Sequence, residues 1–105
     1  MFISFSVPSA PRNITARSVN STAIKVTWME ALHPNGIIHY KLYMRLTVED
    51  EPTNRLVYEG MDTVYTVASL QEYVMYTFTV VSFNVEYNWT SKPVVATETT
   101  HPAGD

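Results

Sequence analysis

Three asparagines in the 105-residue chain stand two residues ahead of a hydroxyl side chain: Asn13 in NIT, Asn20 in NST and Asn88 in NWT. This Asn-x-Ser/Thr spacing is the acceptor pattern for N-linked glycan in the secretory pathway. With six asparagines and a fifth of all residues Ser or Thr, roughly one such triplet is expected by chance, so three is a mild excess. Each falls where a glycan can stand clear. Asn13 points opposite to Ile14 and Ala16, Asn20 lies in a turn, and Asn88 sits in a loop. That loop is the second chemical feature, because it carries Val85, Tyr87 and Trp89 within five residues. Aromatic side chains at a solvent-facing tip are typical of protein-binding hot spots; the competing reading folds Trp89 or Tyr87 back over the core as a cap.

The other reactive types do not assemble. There is no cysteine, which removes disulfide frameworks, thiolate metal sites and cysteine nucleophiles. His33, His39 and His101 lack metal-ligand spacing and read as surface residues. Glu49, Asp50 and Glu51 form an acidic run, but adjacent residues do not readily converge their oxygens on one calcium ion, so a solvated loop is expected. No Ser or Thr stands with a His and an acid in an arguable nucleophile arrangement, and PNG is a turn rather than a phosphate loop. The expectation is a non-catalytic chain that needs no cofactor.

Composition agrees with one small domain. Hydrophobic residues make up 46% and charged residues 16%, enough for a core and too uncharged for a disordered chain. The net charge of −3, with seven scattered Lys and Arg, argues against nucleic acid or an anionic membrane as partner. No apolar run approaches the ~20 residues of a membrane helix. Residues 1–7, MFISFSV, lack the charged front and small-residue cleavage site of a signal peptide and are expected to be a leading strand or an edge outside the domain.

What must position these residues is a set of short strands. Turn signals (PSAP, VNST, LHPNG, VEDEPTN, EGMD, LQE, NVEYNWTSKP) recur at the spacing of an all-β sandwich or barrel. Between them the apolar period is two. Ile24, Val26 and Trp28 share one face of AIKVTW; Ile38, Tyr40, Leu42 and Met44 share one face of IIHYKLYMRL; Tyr76, Phe78, Val80 and Ser82 share one face of YTFTVVS. Proline-bearing ends, VPSAP and THPAGD, resemble linkers on either side of a domain.

Over residues 8–100 the chain resembles a fibronectin type III domain, with 101–105 as a linker. The likeness is carried by the proline-led PSAPRNITA, the lone Trp28, PNGIIHYKLYMR with Tyr40, the step from Leu70 to Tyr76 in SLQEYVMYTFTV, and SKPVVATET. Within the family, PNGIIHY and LVYEG look most like modules in tandem arrays of large cell-surface receptors, such as usherin and the receptor-type tyrosine phosphatases. The resemblance implies a seven-stranded immunoglobulin-like antiparallel sandwich, sheets A-B-E and C′-C-F-G, with RLVYEG and TVYTVAS as fourth and fifth strands. It implies a tyrosine corner, in which the Tyr76 hydroxyl meets backbone a few residues upstream, with Leu70 plugging the core and Tyr73 and Met75 covering its edge. The expected core is Ile14, Ala16, Ile24, Val26, Trp28, Tyr40, Leu42, Val67, Leu70, Tyr76, Phe78, Val80, Val94 and Ala96.

From the same resemblance follow the functional expectations. The chain is a spacer in an extracellular array of a membrane-anchored or secreted protein, its partners the neighbouring fibronectin type III domains of the same chain. The alternative is a module that binds an extracellular protein ligand, through the Tyr87–Trp89 loop or through the outer C-F-G face (His39, Tyr43, Arg45, Val81, Phe83). Integrin binding by an RGD tripeptide has no support, since none is present, and the loop NVEYNWTS lacks the glycines usual there.

Overall fold

The computed structural model describes residues 8–32, 36, 38–48 and 54–101. Residues 1–7, His33, the Pro34–Asn35 part of the PNG turn, the Glu49–Glu51 run and residues 102–105 lie outside the described residues. The strands are β1 (Arg12–Asn20), β2 (Ala23–Met29), β3 (Ile38–Leu46), β4 (Arg55–Gly60), β5 (Val64–Val67), β6 (Met75–Asn84), β7 (Trp89–Thr90) and β8 (Val94–Thr99), with no helix among the described residues. They form two antiparallel sheets. One runs β1-β2-β5; the other runs β4-β3-β6, with both β7 and β8 paired to β6.

The expected seventh strand is therefore in two pieces. Ser91, Lys92 and Pro93 interrupt it, and Pro93 has no N–H to give the ladder. The side chain of Ser91 repairs the gap: Ser91 N donates to Ser82 O at 2.8 Å while Ser91 Oγ accepts from Ser82 N at 2.9 Å. The two-residue period holds in β2, where Ile24, Val26 and Trp28 are buried between exposed Lys25 and Thr27. The same period buries Ile38, Tyr40, Leu42 and Met44 on β3. Burying each such side chain contributes about 1.5–3 kcal/mol.

Trp28 is the largest fully buried side chain and joins the sheets through a row of rings. Tyr40 meets it edge-on at 6.0 Å between centroids, Tyr58 lies at 6.3 Å, and Tyr58 stacks on Tyr65 at 4.9 Å. Two hydroxyls meet backbone, Tyr40 accepting from Ala31 N and Tyr58 from Asp62 N, so these two rings stay apolar while their polar tips are satisfied. Trp28 Nε1 is buried without a hydrogen-bond partner among the described residues. Tyr58 and Tyr65 extend the expected core; Ala96 stays half-buried and outside the core cluster.

At the start of β6, Tyr76 is buried and its hydroxyl accepts from Gln71 N at 2.9 Å, while Leu70, also buried, donates its N–H to Thr22 O at 2.9 Å. The edge between them differs from expectation. Tyr73 and Met75 do not cover it: both are exposed, Tyr73 at 65%. Val81 departs the other way. Placed by its period on the outer face, it is only 7% exposed, because β6 is the central strand and Val81 is flanked by Lys41 on β3.

Tyr76→Phe keeps the ring and removes the acceptor for Gln71 N, and is expected to lower stability by about 1–3 kcal/mol. Trp28→Ala is expected to cost ~3–5 kcal/mol. Urea unfolding checks both: the midpoint falls while the slope holds.

Candidate interaction surface at the β6–β7 hairpin

The hairpin that presents Val85, Tyr87 and Trp89 is built on a buried amide. Asn84 ends the inward-facing row of β6 and has no exposed surface. Its Oδ1 accepts from Glu86 N at 2.9 Å and Tyr87 N at 3.0 Å, an Asx turn that fixes the first half of the loop. The β2–β3 connection packs on the same side chain. Gly36 sits at φ 125°, and a Cβ there would come 2.8 Å from Asn84 Nδ2, so glycine is required by backbone angle and by space. Asn88 turns the chain at φ 58°, a left-handed conformation asparagine tolerates better than most residues.

This scaffold brings two of the three loop residues together. Tyr87 and Trp89 stack at 5.1 Å with their planes 27° apart. Trp89 pairs with Asn84 in β7 and is half-buried without joining the core cluster, whereas Tyr87 remains 46% exposed and Val85 is exposed beside it. Trp89 thus supports the tip and Tyr87 shows it to solvent. The signal for Asn84 was present in the sequence as a polar residue continuing the apolar row of β6, and periodicity alone gives no reason to bury it.

The outer sheet face is different. Tyr43 and Phe83 are both half-buried, and Lys41 Nζ stands 4.0 Å from the centre of the Phe83 ring, a cation–π contact that covers it. His39 Nδ1 lies 3.9 Å from Glu59 Oε2. Val81 is buried, while Leu56 and Val95 are exposed on the same face, in line across the sheet with Tyr43 and Thr79.

Asn13, Asn20 and Asn88 are all exposed. Asn13 lies at φ 52° in a register shift of β1, its Nδ2 2.9 Å from Met29 Sδ. Asn20 Oδ1 accepts from Thr22 N at 2.9 Å at the β1–β2 turn. Among the described residues no three His, Asp or Glu side chains converge as metal ligands. At the opposite end from the hairpin, a cavity of about 230 Å³ is lined by Arg45, Arg55, Ser69, Gln71 and Tyr76 among others.

The architecture is that of a small β-sandwich module, with a three-stranded sheet facing a larger one and a tyrosine corner between them. The chain belongs to the fibronectin type III family: the sequence model of the Fibronectin type III domain matches residues 9–98. Receptor-type tyrosine-protein phosphatase S of Gallus gallus is 36% identical over 78 residues, covering 71% of this chain and 5% of that protein. Neogenin of Homo sapiens is 32% identical over 94 residues, 89% of this chain and 6% of that protein. The chain thus spans a small fraction of these curated relatives. The solution structure of the fibronectin type-III domain of human fibronectin type III domain containing protein 3 has a TM-score of 0.75 at 28% identity, covering 95% of this chain and 92% of that one.

Asn84→Ala removes the acceptor that Glu86 N and Tyr87 N share and leaves a void where the amide packs. It is expected to cost about 1–3 kcal/mol and to speed amide exchange at Glu86 and Tyr87 more than at β2 residues, read by hydrogen-exchange NMR.

Proposed function

We propose that the chain is a non-catalytic extracellular module in a tandem array of a cell-surface or adhesion receptor, where it sets the distance and orientation between its neighbours. The observation that carries this reading is that the chain arrives and leaves at opposite ends of the sandwich. Arg12 pairs with Met29 at the end that holds Ala31, Tyr40 and Asn84; Thr99 pairs with Met75 at the end that holds Leu70 and Tyr76. The ten residues of β6 span about 33 Å at ~3.3 Å each, which sets the length one module adds. The names of its relatives support a receptor context. The match to the receptor phosphatase covers 5% of it, which supports placing any catalytic activity of such a parent on another domain. Neighbouring fibronectin type III domains are then the first partners, with no role for nucleic acid or membrane insertion.

A second reading is favoured by one observation, the exposed Tyr87 ring stacked on Trp89: the module also contacts an extracellular protein ligand through the hairpin tip. Trp89→Ala separates the two. A spacer loses about 1 kcal/mol of stability and leaves partner binding by the parent receptor unchanged; a binding module loses affinity with its fold intact, and Trp89 emission shifts on ligand addition.

Glycan occupancy tests the compartment. Mass spectrometry of the domain secreted from animal cells is expected to find glycan on Asn13, Asn20 or Asn88. Occupied Asn88 shields the tip and favours the spacer, whereas three bare sites leave the extracellular reading on the relatives alone.

A further inference from the structure

Thr100 follows the last strand and is nevertheless fully buried. Its amide donates to Val74 O at 3.1 Å, its carbonyl accepts from Tyr73 N at 2.9 Å, and its hydroxyl donates to Gln71 O and accepts from Val74 N at 3.1 Å. One residue on, His101 N donates to Ser18 Oγ at 3.1 Å, and His101 O lies 2.9 Å from the same hydroxyl. The departing chain is therefore fastened to the β5–β6 connection on one side and to β1 on the other.

The same pole exposes four large apolar side chains, Val19, Val48, Tyr73 and Met75, and the backbone pairings set them around the exit. Thr47 N donates to Met75 O at 3.2 Å, Met75 pairs with Thr99, and Val19 follows Ser18. Tyr73 itself stands at φ 57°, a left-handed conformation uncommon for an aromatic residue, and its N–H is held by Thr100 O. Costly backbone angles persist where surrounding structure fixes them, and they concentrate at functional positions.

We propose that this pole is the seat of the module that follows in the parent chain, with Tyr73 as the contact and Thr100 as the positioning residue that fixes the direction in which the chain leaves. The proposal rests on the tandem-array reading above. The following module is the occupant because the chain itself delivers it here, at residue 101. The opposite pole of this fold shows what a like module would bring: Leu32, Met61, Val85 and Tyr87 are all exposed there. Contacts between domains of one chain are of this kind, modest in area and partly apolar.

The test uses the parent chain from this module through the next, with backbone order and residual dipolar couplings read by NMR. In the unaltered chain, residues 99–101 are expected to be as rigid as the strands (order parameters about 0.85), and both modules to share one alignment tensor. Thr100→Val keeps the shape and removes the hydroxyl; order at His101 is expected to fall below about 0.6. Tyr73→Asn tolerates the backbone angle and removes the ring. It is expected to leave the thermal midpoint of the single module unchanged while giving the two modules separate tensors. Independent tumbling of the unaltered modules overturns the seat and the spacer reading together. A shared tensor that survives Tyr73→Asn overturns the seat and leaves the spacer reading standing. Self-association of the single domain that Tyr73→Asn abolishes, seen by sedimentation, assigns the pole to a second copy and also overturns it.

Discussion

The peptide of Gln71 is gripped from both sides. Its N–H is donated to the hydroxyl of Tyr76, whose ring is in the core, and its carbonyl accepts from the hydroxyl of Thr100, the residue at which the chain leaves. A connection between sheets carries backbone groups that must be paired wherever they are buried, and here one residue's pair of groups joins the core to the exit. Leu70 cannot seat beneath the sheets unless this turn is closed, and Thr100 cannot be buried unless Gln71 and Val74 are in place to receive it. Side-chain networks of this kind are worth more than their pairs taken singly, because loss of one partner strands the next.

The other end of β6 repeats the logic with a different side chain. The inward row of this strand runs Tyr76, Phe78, Val80, Ser82, Asn84, apolar in the middle and polar at each end. At both ends the polar atom captures backbone N–H groups of the adjoining loop: Gln71 at one pole, Glu86 and Tyr87 at the other. The central strand therefore fills the core with its middle and shapes the two loops with its ends. Its outward row is also protected toward the hairpin, since Val81 is flanked on the sheet and Phe83 lies under Lys41. Snorkelling lysine stems commonly cover apolar surface in this way.

Much of this arrangement can be read without coordinates, and what cannot has identifiable reasons. The period of two in β2, β3 and β6 exposes the strands directly, because one face of each is buried and a single-residue slip would turn every side chain the wrong way. The step from Leu70 to Tyr76 marks the corner through its likeness to the fibronectin type III family, in which a plug and a ring stand at that spacing. The split of the last strand falls at Pro93, which has no N–H for the ladder, and the bonds from Ser91 to Ser82 that bridge it depend on a tertiary pairing that alternation does not reveal. The burial of Val81 depends on strand order, and alternation cannot tell a central strand from an edge. Asn84 and Thr100 are the hardest. Both are polar and both are fully buried; Thr100 is held by backbone of the distant β5–β6 connection, and Asn84 by N–H groups of its own hairpin loop. Composition rules put such residues on the surface; only the backbone groups they satisfy explain their place inside.

A stiff module and a binding module are often treated as competing roles, but the anchoring of the hairpin makes them compatible. Ordering loop side chains on association costs affinity, and a surface already held in its bound shape avoids that cost. The Tyr87 ring is supported by Trp89, and the loop beneath it is tied by Asn84 to a strand that also forms the core. The bonds that would keep a spacer rigid at this pole would thus also pre-organise the tip. Rigidity at the exit pole and display at the hairpin pole draw on opposite ends of one strand, so neither has to be given up for the other. What decides whether the tip meets a partner lies outside the sandwich: a glycan at Asn88, one residue from both rings, would occupy the space a ligand needs without disturbing any contact that holds the fold.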